Sequence, residues 1–505
     1  MDVEKVGMDS LKNLLNILPQ QASFSAQPRP YVNHSVQFKV TCTAEERAKI
    51  LQEVGLNVFS FPADMITGCD MLSDSGTTTM TNEQWAALHL GDESYGSNKG
   101  YFTLMAQIGE MFGKDFTQDI GAMEPNAFLF HQGRPAEDAL FSVLSTQDRS
   151  HIIPSNGHFD TTLANIENNG MEARPLFSPK LQDTSQQLFR GDIDILALRK
   201  LLASSTKRVP VIFLTITNNT GGGQPVSMQN IKETHALSRE FSIPLFFDAC
   251  RFAENAWFIQ HYEERYAHTS IKDIVKEMFS YVDGFTISFK KDGLANMGGG
   301  IFLKKGGLFV EKYPHIPGKL MDLQIIKEAH PSYGGLSGRD IVALAEGLRT
   351  ITKEEYLTAR ISQVQEFGEE MHTRGLPVLM PIGGHAVYMD MNRFFGDTDM
   401  QPEDFGGISF TALLLALYGH RACELGNFAF GHVDEATGRE VPHSMNFVRF
   451  AVPRLRYEGE DFQSVIAAVE ALYEHRRAIP KIDVVYGRGL PLRHFRARFS
   501  FRGNS

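Results

Sequence analysis

Three times between residues 209 and 291 an apolar, β-leaning run ends in a polar cluster, and a helix-like stretch separates each run from the next. Val209-Pro-Val-Ile-Phe-Leu-Thr-Ile216 runs into Thr217-Asn-Asn219, Ile243-Pro-Leu-Phe-Phe247 into Asp248, and Tyr281-Val-Asp-Gly-Phe-Thr-Ile287 into Ser288-Phe-Lys-Lys-Asp292. After the turn Gly221-Gly-Gly-Gln-Pro225, Ser227 is placed to cap a helix whose apolar positions Ile231, Leu237 and Phe241 fall at near-helical spacing. A second helical stretch, Ile271 to Phe279, precedes the third run. Strands that alternate with helices are joined by crossovers, which makes them parallel and covers the sheet with helices. The pattern predicts an α/β fold whose strand ends bring Asn219, Asp248 and Ser288–Lys291 to one edge. Ligands bind at that edge in such sheets.

The alternation spans about residues 80–343, predicting a large ligand-binding domain. Residues 1–40 are polar, carry Gln27-Pro-Arg-Pro30 and are predicted to form an extension or arm. Residues 41–79 open with a helix whose Thr43 and Glu46 suit a capping box, and are assigned to a smaller domain and its linker. Residues 344–505 follow as the C-terminal part of that smaller α/β domain, ending in the basic, aromatic tail Arg493-His-Phe-Arg-Ala-Arg-Phe-Ser-Phe501. A net charge of −11 argues against nucleic acid and anionic membrane surfaces as partners and favours a small-molecule substrate. The first residues lack the order of a signal peptide, and the longest apolar run, Phe410 to Tyr418, is too short to span a bilayer, so a soluble, cytoplasmic protein is expected. The four cysteines are scattered with no Cys-x-x-Cys pair, so neither a disulfide framework nor a zinc site is indicated. Gly221-Gly-Gly-Gln-Pro225 lacks the Lys-Ser or Lys-Thr of a nucleotide-binding loop.

A partly desolvated lysine at a strand end can form a Schiff base. An acid one strand away, at Asp248, can keep a pyridine nitrogen protonated, so that the ring draws off electrons from a carbanion. Gln132-Gly-Arg134 precedes a helical run from Glu137 to Leu144, where backbone amides can hold a phosphate. These are the parts of a pyridoxal phosphate site. Each also has a bland reading: the lysine pair as solvated surface, Asp248 as a helix cap.

Ser288-Phe-Lys-Lys-Asp292, Phe247-Asp-Ala-Cys-Arg-Phe-Ala-Glu-Asn255, Gly222-Gly-Gln-Pro-Val-Ser227, His131-Gln-Gly-Arg134 and Ser332-Tyr-Gly-Gly-Leu336 occur in the order and approximate spacing of one family. From about residue 40 to its C-terminus the chain resembles the tryptophanase and tyrosine phenol-lyase family, fold-type I pyridoxal phosphate enzymes that catalyse β-elimination. The resemblance implies that Lys291 bonds the cofactor and, once displaced by an amino acid, removes its α-proton. It implies Asp248 at the ring nitrogen, Arg251 and Asn219 on the ring-hydroxyl side, and Phe159 stacked on the ring. Gln132, Gly133, Ser288, Arg134 and Lys290 match its phosphate cup. Arg454, in Val452-Pro-Arg454, is matched to the arginine that grips the substrate carboxylate. Tyr95 is matched to a general acid supplied across a subunit interface in a homotetramer. A potassium-like cation would be held by the carbonyls of Gly76 and Asn296 and the carboxylate of Glu93.

Substrate choice within the family falls on few positions. Asp160 and His494 resemble the tryptophanase branch, where the tyrosine branch has threonine and phenylalanine. Leu425 is aliphatic where that branch has an arginine for the phenol hydroxyl, and Phe59 is grouped with these specificity positions. The expected reaction is therefore L-tryptophan and water to indole, pyruvate and ammonia. Gly338-Arg-Asp340 and Glu277-Met-Phe-Ser-Tyr281 lie closer to the tyrosine branch, and Phe289 is bulkier than the glycine or alanine usual there. Tyrosine phenol-lyase and elimination from another β-substituted amino acid, such as an S-substituted cysteine, stand as alternatives. An aminotransferase would share Lys291 and Asp248 but yield a keto acid without releasing an aromatic fragment. A binder without catalysis would be expected to lose the lysine or the carboxylate-binding arginine.

Overall fold

In the computed structural model, residues 29–32, 36–119, 123–182, 188–205, 208–434, 436–443 and 445–503 are described. The chain divides into two units, Met1–Phe38 and Lys39–Ser505, and everything below lies in the second. Most of the arm expected over residues 1–40 falls outside the described residues.

Seven strands form the main sheet: β1 (Ala127–Phe130), β2 (Ile152–Ser155), β3 (Glu172–Pro175), β4 (Ile212–Thr215), β5 (Leu245–Asp248), β6 (Gly284–Ser288) and β7 (Gly299–Leu303). Their order is β1-β7-β6-β5-β4-β2-β3. From β3 through β2, β4 and β5 to β6 all pairings are parallel, as the alternation predicts. β7 departs from it and runs antiparallel to both β6 and β1. The connection from Ser288 to Gly299 is too short for a helical crossover, so the chain doubles back.

Strands β4, β5 and β6 are buried along their whole length because helices cover both faces. Successive residues enter opposite layers: Phe246 packs with Phe213 and Phe141 on one side, Phe247 with Phe279 and Phe285 on the other. The helix Met228–Glu240 is capped by Ser227. The Thr43/Glu46 capping box forms as expected, with the Glu46 amide donating to Thr43 Oγ1 (3.2 Å) and the Thr43 amide to Glu46 Oε2 (2.8 Å).

A second, antiparallel sheet is ordered Ala386–Asp390, Phe447–Ala451, Cys423–Leu425. Val448 and Phe450 on its central strand pack with Val364 and Phe367 of the helix Glu354–Thr373 and with Val465 and Val469 of the helix Gly459–Glu474. The run Phe410 to Tyr418 lies in the helix Gly406–Tyr418, where Ala412 and Leu415 pack on Leu51 of the helix Ala44–Glu53. Among the described residues no helix is long and apolar enough to cross a membrane.

Candidate active site

The carboxyl ends of β4, β5 and β6 open into a cavity of about 320 Å³. At one end lie Gln132 and Gly133, where the helix Gly133–Ser145 begins, together with Arg134, Ser288, Lys290 and Lys291. This end is built from bare main chain. A Cβ on Gly133 would lie 2.8 Å from Ser288 Cβ, and one on Gly299 only 2.2 Å from the Gln132 carbonyl carbon. β7 can pass under the turn only because its first residue is glycine. Burial, then Lys291, then Arg134 press the Lys290 ammonium below its usual range. Crowded cations beside a helix N-terminus suit a phosphate, whose charge relieves their repulsion.

Asp248, at the end of β5, also lines the cavity. It caps no helix: the next one, Phe252–Tyr262, starts beyond Arg251. Arg251 donates from NH2 (2.7 Å) and Nε (3.0 Å) to the buried Asp74. The Asn219 amide oxygen is taken up by Tyr388 OH, by His385 Nε2 at 2.9 Å and by Arg449 NH1 at 3.4 Å, so its amino end is what Asn219 offers the cavity. Phe159 lines the same space. With cations beside a helix N-terminus and a carboxylate at Asp248, these residues suit a flat, protonated pyridine bearing a phosphate.

Glu137 also lines this cavity, and sequence reasoning missed it because an acid on a helix reads as solvated surface. Burial, reinforced by Asp248, pushes its carboxyl up to about 8, and Thr162 Oγ1 donates to it at 2.9 Å. In the unfolded chain this acid ionises near its ordinary value of 4.5. Between those two values the unfolded state releases a proton that the folded state keeps, so this group's contribution to stability falls as pH rises and levels off above about 8. Glu137→Gln removes that loss. In thermal melts of the apoprotein, the advantage of the variant over wild type should grow from about pH 5 to about pH 8 and then stay constant. An offset independent of pH would contradict the assignment.

Toward the cavity mouth, His494 Nε2 lies 3.3 Å from Asp160 Oδ2, with both side chains buried. His494 is buried because the turn Arg493–Phe495 is tucked inward: Asn57 donates to the His494 carbonyl (3.1 Å) and Arg493 pairs with Glu440 (3.0 Å). The Phe59 ring sits 5.4 Å from His494 and 4.9 Å from Phe495, and the Arg134 guanidinium lies 5.3 Å from the Phe495 ring. Leu425 completes this wall.

One expected residue is not at the cavity. Arg454 is 0 % exposed and its guanidinium is consumed by Asp74 (3.0 Å), Glu254 (2.7 Å) and Asp292 (2.8 Å), so it cannot grip a substrate carboxylate. Arg449, on the strand Phe447–Ala451, lines the cavity, as do Arg134 and Arg251. Its NH2 donates to the Leu72 carbonyl (3.0 Å), and its buried Nε has no partner. The signal was there to read: a charged residue in the middle of Phe447-Val-Arg-Phe-Ala451, facing opposite to Val448 and Phe450. Tyr95 is 62 % exposed, beside His330 and Tyr333, and does not line this chain's cavity. Gly76 and Asn296 do meet: Asn296 Nδ2 donates to the Gly76 carbonyl at 3.1 Å, and Gly76 needs its positive φ of 74°. Glu93 pairs instead with Arg339 at 3.0 Å. Among the described residues no His, Cys, Asp and Glu side chains cluster as a metal site.

A mixed, mostly parallel sheet with a lysine, an acid and a phosphate cradle at its strand ends defines a fold-type I enzyme dependent on pyridoxal phosphate. The solved structure of Sphingomonas wittichii serine palmitoyltransferase shares this fold, with a TM-score of 0.55 at 12 % identity over 86 % of this chain and 97 % of that one. Leishmania major threonine aldolase does so with 0.52 at 12 %, over 80 % and 99 %. In sequence, the family model described as beta-eliminating lyase matches residues 70–468. A tryptophanase of Hyphomonas neptunium is 37 % identical over 93 % of this chain and 98 % of its own length. A tyrosine phenol-lyase of Clostridium tetani is 36 % identical over 94 % and 98 %. The chain belongs to the beta-eliminating lyase family, and it is a lyase dependent on pyridoxal phosphate.

Proposed function

We propose that this lyase is a tryptophanase, cleaving L-tryptophan to indole, pyruvate and ammonia. The observation that supports the indole reading is the buried Asp160–His494 pair lining the cavity, a carboxylate beside an imidazole suited to an indole N–H. Overall identity does not choose between the two branches of the family, so these local groups carry the choice.

Lys291 would hold the cofactor covalently, with the Gln132–Gly133 amides, Ser288, Lys290 and Arg134 at its phosphate and Asp248 at its ring nitrogen. When bound, the cofactor supplies an electron sink next to the substrate's amine. Arg449, rather than Arg454, takes the substrate carboxylate, since a guanidinium fork matches two carboxylate oxygens. The free Lys291 amine removes the α-proton as general base. Asp160 and His494 orient the indole, with Phe59 and Leu425 packing its faces. Tyr95 of a neighbouring copy donates a proton to the ring carbon that carries the side chain, which turns indole into a leaving group. That role calls for a homo-oligomer, a tetramer on the family pattern. A monovalent cation at Gly76, Asn296 and a neighbouring copy's Glu93 would brace the same interface.

Pyruvate, indole and phenol should be assayed with L-tryptophan, L-tyrosine and an S-substituted cysteine in separate reactions of protein loaded with pyridoxal phosphate and potassium. Equimolar indole and pyruvate from tryptophan is the expected result. Phenol from tyrosine alone, or pyruvate only from S-substituted cysteines, would leave the lyase chemistry and remove the substrate assignment.

A further inference from the structure

We propose that Arg454 is a positioning residue that, through Asp292 and Asp74, holds Lys291 and Arg251 in register across the cofactor cavity. The inference rests on reading Lys291 and Arg251 as cofactor-binding residues.

Arg454 follows the strand Phe447–Ala451, and its own carbonyl accepts from the Thr79 amide (3.1 Å) and Thr78 Oγ1 (3.3 Å). Its NH1 reaches Asp74 Oδ2 at 3.0 Å, the carboxylate that also accepts both hydrogen bonds from Arg251. Its NH2 reaches Asp292 Oδ1 at 2.8 Å, and Asp292 is the residue after Lys291. The other oxygen of Asp292 accepts from the amides of Ala253 (2.8 Å) and Glu254 (3.2 Å), at the start of the helix that follows Arg251. One guanidinium therefore ties together the turn that carries the lysine, the loop that carries Asp74 and the helix beside Arg251. Arg360 Nε, 3.3 Å from Glu254, completes the group.

Three guanidiniums, Arg251, Arg360 and Arg454, face three carboxylates, Asp74, Glu254 and Asp292, all buried. Burial pushes the neighbouring Tyr356 phenol up and His385 down, so both stay neutral, and burial, reinforced by Glu254, also pushes the Asp292 carboxyl up. Buried ion pairs add little net stability, because desolvation offsets their attraction; what they specify is arrangement. Two of its members, Arg251 and Asp74, line the cavity, while Arg360, Arg454, Glu254 and Asp292 do not. Arg454 is its only member bonded to both Asp74 and Asp292.

The test uses Arg454→Lys, which keeps the charge but not the fork, and Arg454→Gln, which removes one positive charge. In protein loaded with pyridoxal phosphate and no substrate, the pH midpoint of the lysine-bound cofactor's absorbance should rise by about one unit or more in Arg454→Gln, since surplus negative charge favours the protonated form. It should stay within a few tenths of wild type in Arg454→Lys. Adding Asp292→Asn to Arg454→Gln restores the charge balance and should return the midpoint. In the apoprotein, the Leu294 amide, which donates to the Lys291 carbonyl at 2.9 Å, should exchange its hydrogen faster in both single variants. Unchanged exchange at Leu294 in Arg454→Lys overturns the proposal, even if Arg454→Gln fails to fold. A wild-type midpoint in folded Arg454→Gln together with unchanged exchange at Leu294 does so too. Neither readout uses a substrate, so failure to release pyruvate would count against the lyase assignment alone. If wild type binds no cofactor, the cofactor reading falls while the exchange measurement still judges the clamp.

Discussion

Lys291→Ala protein will release pyruvate from L-tryptophan at least about 10²–10⁴-fold more slowly than wild type, the usual worth of a positioned general base. It will also hold pyridoxal phosphate only without a covalent bond, so that borohydride no longer traps the cofactor on the chain. The neighbouring lysine cannot take over. The Lys290 carbonyl accepts from the Gly76 amide at 2.7 Å, and its side chain lies against Gly76, with its Cε 2.5 Å from where a Cβ on that glycine would stand. Lys291 in turn is held by the turn that Asp292 pins to the helix behind it. Lys290→Ala should therefore weaken cofactor affinity while keeping the trapped adduct. If Lys290→Ala loses the adduct and Lys291→Ala keeps it, the two roles are exchanged.

Arg449→Met should lower kcat/KM for tryptophan by about 2–5 kcal/mol in free-energy terms, the cost of removing one partner of a buried charged hydrogen-bonded pair. The loss should fall largely on KM, because the carboxylate is gripped before and during the reaction alike. Arg449→Lys should recover little, since an ammonium cannot reproduce the two-point contact. Cofactor absorbance should persist in both variants, because no cofactor group depends on Arg449 alone. An unchanged KM in Arg449→Met would return the carboxylate to another cation in the cavity, with Arg134 first in line.

The parts of this site that follow from local sequence are those at strand ends. An apolar run that stops at a polar residue announces both the strand and its edge, which is why Asn219, Asp248 and Lys291 could be placed before any coordinates. Glu137 and Asp74 announce nothing, because an acid in a helix or a loop is ordinarily solvated and only the folded cavity makes it otherwise. Arg449 and Arg454 lie in one short stretch, and matching by motif alone chose the residue after Val452-Pro453. Strand periodicity separates them, since Arg449 shares a face with Phe447 and Ala451 while Arg454 lies past the strand's end. β7 was hidden for a related reason: its glycine-rich start reads as a loop, although those glycines are what let a strand pass beneath Gln132.

Because Gly133 and Gly299 pack so closely on Ser288 and Gln132, mutation at these two positions has almost nowhere to go. Any side chain at 133 or 299 displaces main chain rather than a movable neighbour. Replaceable side chains are found instead at Phe59, Asp160, Leu425, His494 and Phe495, a rim of the same cavity. A directed-evolution library built on this scaffold should leave the glycines alone and randomise that rim, where new leaving groups can be recruited without loosening the grip on the cofactor.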